Sequence, residues 1–338
     1  MIIGLTIILL MVLFLPFISR SIEHNLELFL LVMGVVAVIV ADVLTGELLR
    51  KALAEPLHIS LAVIVAGILF RLLHRPFSKS VRKLGTIIPF RLFVALIIII
   101  LGLLSSVITA IIAALVLVAI VTVLGLPRKD AIRFVILACY SIGLGAVLTP
   151  IGEPLSTIAT SKLDADFFYL FRLIGPAVIP GVLAFGLLAA CIVRPPERPM
   201  HIKEKPKHDK PLDIFTRGVK VYVFVMALTF LGAGFEPFIR TLLLDIPPTT
   251  LYWLNMISAV LDNATLAAAE ISPEMEEATI QSILLGLLIS GGMLIPGNIP
   301  NIITANKLQI TSGEWAKFGI PVGLVTMILY FIGIILFV

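Results

Sequence analysis

Ten charge-poor apolar segments recur along the chain, at about 2–19, 27–45, 57–73, 86–125, 131–161, 166–193, 215–234, 246–270, 276–306 and 315–338. Runs such as 95-ALIIIILGLL-104 and 324-LVTMILYFIGIILFV-338 approach or reach the ~20 apolar residues that a spanning helix needs. Hydrophobic residues make up 59% of the chain and charged residues 14%, too little polar surface for water to be the solvent. The expected fold is therefore an all-α polytopic membrane protein, because only helices and closed barrels satisfy their own backbone in lipid. The first stretch has no basic residue before it and no small-residue cleavage site, so it reads as a retained helix.

Segment lengths and interruptions carry the next step. The 86–125 run is about twice a spanning length, with Ser105, Ser106 and Thr109 near its middle, which suits a re-entrant hairpin. The segments 131–161 and 276–306 are broken by Gly and Pro clusters that an unbroken helix does not tolerate. Lys and Arg mark cytoplasmic loops, and here they gather in 71–91, 126–133 and the linker 194–220. Glu270, Glu274, Glu276 and Glu277 suit an outer acidic loop. Placing all of these consistently makes 246–270 a second re-entrant hairpin, entered from outside. The basic balance of +4 then reports topology and gives no reason to expect a nucleic-acid partner.

The polar, proline-rich linker separates two halves that match faintly. The run 154-PLSTIATSKL-163 lines up with 300-PNIITANKL-308, Pro176 with Pro321, Arg172 with Lys317, and 105-SSVITAIIA-113 with 258-SAVLDNATL-266. Opposite orientations of the two copies imply an inverted repeat, as in secondary transporters. The expected organisation is N-terminal scaffold helices over 1–85, a first repeat over 86–193, a cytoplasmic linker over 194–213 and a second repeat over 214–338. Interrupted helices at the midplane supply backbone carbonyls, amides and half-helix ends for an ion. The first break, 143-GLGAVLTPIGEPLSTIAT-160, holds Thr149 and Glu153; the second, 291-GGMLIPGNIPNIITAN-306, holds Asn298 and Asn301. In the second hairpin Asp262 and Asn263 sit among apolar residues, where a carboxylate costs about 2.5–3.5 kcal/mol and demands a cavity, a partner or a cation. A helix-capping acid is the alternative for either carboxylate, and the ion-ligand reading is preferred. Asp42 falls near a helix end, where solvation explains it. Cys139 and Cys191 read as small hydrophobes, the five histidines fall in or near loops, and no phosphate-cradling motif or nucleophile constellation points to an enzyme or a cofactor.

The Asp-Asn pair in 258-SAVLDNATLAA-268, the run 296-PGNIPNIITANKLQITSGEWAKFGIPV-322 and the break 148-LTPIGEPLSTIA-159 resemble the ion transporter superfamily. That group includes NhaD-type sodium/proton antiporters, ArsB-type arsenite transporters and sodium-coupled dicarboxylate transporters, and this chain is similar to small prokaryotic predicted cation transporters. The resemblance covers about 86–338 and implies two hairpins and two broken helices moving as an elevator against a dimerised scaffold. It further implies a cation site drawing on Ser105, Thr109, Thr149 and Glu153 from the first half and Asp262, Asn263, Asn298 and Asn301 from the second. Asp262 and Glu153 are the expected Na⁺ ligands. The dicarboxylate branch carries Ser-Asn-Thr at both tips, whereas these tips read Ser-Ser-Val and Leu-Asp-Asn. The expected function is a sodium/proton antiporter of the cell inner membrane, with lipid and a monovalent cation as partners, a homodimeric state, and Na⁺ and H⁺ as the coupling ions. The alternative is a sodium- or proton-coupled symporter for a small anion or carboxylate, which would gain if Lys162 or Arg172 reached the site.

Overall fold

A computed structural model describes residues 1–19, 21–22, 25–54, 56–57, 60–61, 64–65, 68, 87–195, 211–243, 247–259, 263–271 and 273–337. Among these residues the chain is all-helical, without strands. The helices are α1 (Ile2–Ile18), α2 (Leu26–Ala41), α3 (Phe90–Ile108), α4 (Ala110–Leu124), α5 (Arg128–Ala146), α6 (Pro154–Lys162), α7 (Tyr169–Ile192), α8 (Pro211–Leu243), α9 (Pro248–Leu254), α10 (Asn263–Glu270), α11 (Glu277–Gly291), α12 (Ile299–Leu308) and α13 (Ser312–Phe337), with short 3-10 turns at Asn255–Ala259 and Ile295–Gly297. Among the described residues, four stretches are long and apolar enough to cross a membrane: Phe90–Ile108, Tyr169–Ile192, Gly218–Pro237 and Ser312–Leu336. The last of these turns Val325, Ile328, Leu329, Ile332 and Ile335 outward, a face that only lipid or protein can cover.

The 86–125 run forms two helices that meet at Thr109. Direction follows from the hydrogen bonds. Ser141 Oγ donates to Ile98 O at 3.0 Å, Ser105 Oγ lies 3.0 Å from Ile142 O, and Thr149 Oγ1 donates to Ser106 O. The pairings advance together, so α3 and α5 run parallel, and α4 must carry the chain back between them. Close approach is possible because Gly102 and Gly145 face each other; a Cβ on Gly145 would collide with the Gly102 carbonyl.

α5 does not continue into α6. It ends at Ala146, and the chain turns through Val147–Gly152 before Glu153 caps a new helix whose first residue is Pro154. The second interruption is similar in kind: α11 ends at Gly291, a 3-10 turn follows at Ile295–Gly297, and Asn298 caps α12, with Pro300 in its first turn. The two broken helices run antiparallel. Arg128, at the start of α5, donates to Leu308 O at 2.8 Å and Gln309 O at the far end of α12, and pairs with Glu314. Lys162, at the far end of α6, donates to Ile271 O at 3.3 Å, just ahead of α11. Between those ends the helices lock: Tyr140 OH donates to Gly319 O at 2.8 Å, Trp315 Nε1 to Gly292 O at 3.1 Å, and Cys139 Sγ lies 3.4 Å from Thr304 Oγ1. Beside this body, α2 and α8 pack in parallel, with Lys220 and Glu27 paired at 2.6 Å and Gly34 and Gly234 admitting the partner backbone.

Cys139 is buried as expected for a small hydrophobe, while Cys191 is exposed on α7. Asp42 caps α2 in the left-handed region and is exposed, in keeping with a solvated helix end.

Candidate functional site

Both interruptions and the first hairpin turn open on one cavity of about 400 Å³. Its walls are Thr109, Ala110 and Ile111 from the hairpin, Ile151, Gly152, Glu153, Pro154, Thr157 and Ile158 from the first break, Asn263 from α10, and Asn298 and Ile299 from the second break. Four residues read from the sequence as ligands, Thr109, Glu153, Asn263 and Asn298, therefore meet in one place. Asp262 lies outside the described residues, one position before Asn263.

Three helices begin on this wall. Thr109 is the N-cap of α4, its Oγ1 accepting from Ile112 N, and Ala110 N donates to Gly152 O at 2.8 Å, tying the hairpin turn to the first break. Glu153 caps α6 through a capping box with Ser156, and Asn298 caps α12. Each N-terminus carries roughly +0.5 of a charge, so together they present about +1.5 charges to the cavity. Glu153, 6% exposed, is the ionisable side chain among the lining residues. No Lys, Arg or His stands among the described lining residues. Lys162 reaches Ile271 instead, and Arg172 pairs with Asp166 at the surface, where the guanidinium holds the Asp166 carboxyl below its usual range.

Thr109 adopts φ 75 and ψ 148, a conformation that a β-branched residue rarely adopts and that costs on the order of 1–3 kcal/mol. The neighbouring helix starts hold it there. Ser105, Thr149 and Asn301 are buried, but none lines the cavity. Ser105 Oγ and Thr149 Oγ1 are engaged with backbone carbonyls between α3 and α5, as given above. Asn301 Nδ2 donates to Gly291 O and Leu294 O, both at 2.9 Å, and so shapes the second break, while its Oδ1 has no hydrogen-bond partner among the described residues. Thr157, not singled out in the sequence, lines the cavity and donates from Oγ1 to Pro150 O. Its only sequence signal was its place in 154-PLSTIATSKL-163.

One expectation is corrected. Glu270 does not belong to the outer acidic loop: it is the last residue of α10, 6% exposed, and hydrogen-bonded to Asn255. Helix α10 extends through it and packs it inward.

Residues 2–338 match the family described as "Protein of unknown function (DUF1646)". No curated protein matches the chain.

Proposed function

The chain belongs to the DUF1646 family, and we propose that this member is a secondary active ion transporter of the cell inner membrane, working as a sodium/proton antiporter. The observation that carries the reading is the cavity in which Glu153 stands with the oxygen-bearing side chains of Thr109, Asn263 and Asn298 and without a basic side chain among its described lining residues. A carboxylate with neutral oxygen donors beside it takes a stripped monovalent cation or a proton, and not both at once. That exclusion is sufficient to couple the two. Asp262, next to Asn263, supplies the second carboxylate of the site in this reading.

The same proposal includes the inverted repeat. It is supported by the recurrence, in each half, of paired helices, a broken helix and a long apolar helix, and by the antiparallel run of the two broken helices. Two re-entrant hairpins, an elevator motion and a homodimer complete it as the resemblance to NhaD-type and ArsB-type transporters implies.

A second reading, symport of a small anion, is favoured by one observation: three helix N-termini face the cavity, and N-termini hold anions without arginine. A proteoliposome assay with an internal pH dye separates the two. Adding Na⁺, Li⁺ or K⁺ outside drives proton efflux in wild type, and the signal is lost in Glu153→Gln and Asp262→Asn if the antiport reading is right. A wild type that moves no protons but takes up anions with sodium would replace it with the second.

A further inference from the structure

Away from the cavity, the buried carboxyl of Glu270 has no role in cation binding as described. One side of it meets Asn255, and Oε2 has no hydrogen-bond partner among the described residues. It closes α10 at the carboxyl end, where the helix dipole opposes negative charge. Among the described side chains, no charged group pairs with it. Lys162 of α6 donates to Ile271 O, Lys220 of α8 pairs with Glu27, Glu236 of α8 lines a separate cavity with Glu47 and Lys51, and the chain leading into α11 brings Glu274, Glu276 and Glu277. A carboxyl so placed is kept by its surroundings in the protonated form until something changes around it.

Its partner leads to the site. Asn255 O accepts from Ser290 Oγ at 2.6 Å and Asn255 Nδ2 donates to Ile283 O, so the Asn255–Ala259 turn is stitched to α11 one residue before the second break. Gly291 O, the next carbonyl, accepts from Asn301 Nδ2, and Asn301 lies three residues beyond the cavity-lining Asn298. Two sets of buried polar contacts thus meet at the end of α11: Glu270, Asn255 and Ser290 reach it from one side and Asn301 holds the adjoining Gly291 carbonyl from the other. Ionising Glu270 would pull on Asn255, and Asn255 is bonded to the helix end that forms the break.

We infer that Glu270 is a second proton-exchanging carboxyl, a positioning residue whose charge state sets the geometry of the Gly291–Asn298 break through Asn255, Ser290 and Asn301. The inference rests on the antiport reading and separates two proton effects within it. A proton competing at Glu153 raises the KM for the cation and is overcome at saturating cation; a proton on Glu270 changes the maximal rate and is not.

The test measures isotopic sodium counterflow in proteoliposomes across pH, for wild type, Glu270→Gln and Glu270→Asp. Wild type at saturating sodium shows a pH-dependent maximal rate; Glu270→Gln shows a flat one while keeping the pH dependence of KM; Glu270→Asp keeps a pH-dependent maximal rate with a displaced midpoint. A flat maximal rate in wild type, or an unchanged profile in Glu270→Gln, overturns the inference. So does loss of all counterflow in both variants with melting temperatures like that of wild type, which would make Glu270 essential to sodium movement itself and not to its pH dependence. Absence of sodium flux in wild type sinks the antiport reading and this inference with it, and is recognised because it precedes any mutation. Thermal unfolding in detergent adds a readout independent of transport: a carboxyl held neutral in the fold stabilises at low pH and loses that contribution as pH rises. Wild type therefore loses melting temperature with rising pH more steeply than Glu270→Gln, and parallel curves contradict the assignment.

Discussion

The two interruptions reach the same cavity with different chemistry. The first, between α5 and α6, brings a carboxylate, Glu153, and is framed by backbone: Gly102 against Gly145, Gly152 against the Ala146 carbonyl, Ala110 N on Gly152 O. The second, between α11 and α12, brings an amide, Asn298, and is framed by side chains: Tyr140 over Gly292, Trp315 on Gly292 O, Asn301 on Gly291 O and Leu294 O. A shared architecture supplies helix N-termini from both sides. The residues that differ give the first break a carboxylate and the second an amide with side-chain packing around it.

That contrast is broken or sharpened in order of expected effect. Glu153→Gln reduces cation-driven proton efflux to the level of empty liposomes, whereas Asn298→Ala slows it without abolishing it; equal losses would erase the distinction between charge and amide. Gly145→Ala, which forces a Cβ into backbone, costs about 1–3 kcal/mol by thermal or denaturant unfolding in detergent. Gly292→Ala meets the Tyr140 ring instead, a side chain and not backbone, so it costs less than Gly145→Ala in the same measurement. Asn301→Ala strips two buried carbonyls of their donor and costs ~1–3 kcal/mol in the same measurement. Thr109→Gly removes a strained side chain at the hairpin turn and gains about 1 kcal/mol of stability, with weaker transport because the capping hydroxyl is gone. The smallest change is Arg128→Lys, which loses the fork onto Glu314 and the end of α12; with both side chains at a third or more exposure it costs only ~0.5 kcal/mol, read as a small shift in melting temperature.

Much of this arrangement was legible in the sequence. A 40-residue apolar run with Ser105, Ser106 and Thr109 at its centre is too long for one crossing, and the chain turns at Thr109. Gly and Pro clusters located both breaks because neither residue type sustains a helix interior. What periodicity and composition do not carry is direction. Ser105, Thr149 and Asn301 are short polar residues in apolar surroundings, like Thr109 and Asn298, and whether such a side chain faces a cavity or a neighbouring carbonyl depends on the packing of distant segments. Glu270 was hidden for a related reason: it opens an acidic run, and charge clustering reads as solvent-exposed loop, while α10 continues through it and buries it.

In the proposed antiport one carboxylate-bearing cavity exchanges a cation for a proton. Its most direct test is proton release from purified protein in weakly buffered detergent when sodium is added. Wild type acidifies the solution in step with sodium binding and Glu153→Gln does not. Sodium binding to wild type without proton release, or release that is unchanged in Glu153→Gln, would contradict the account.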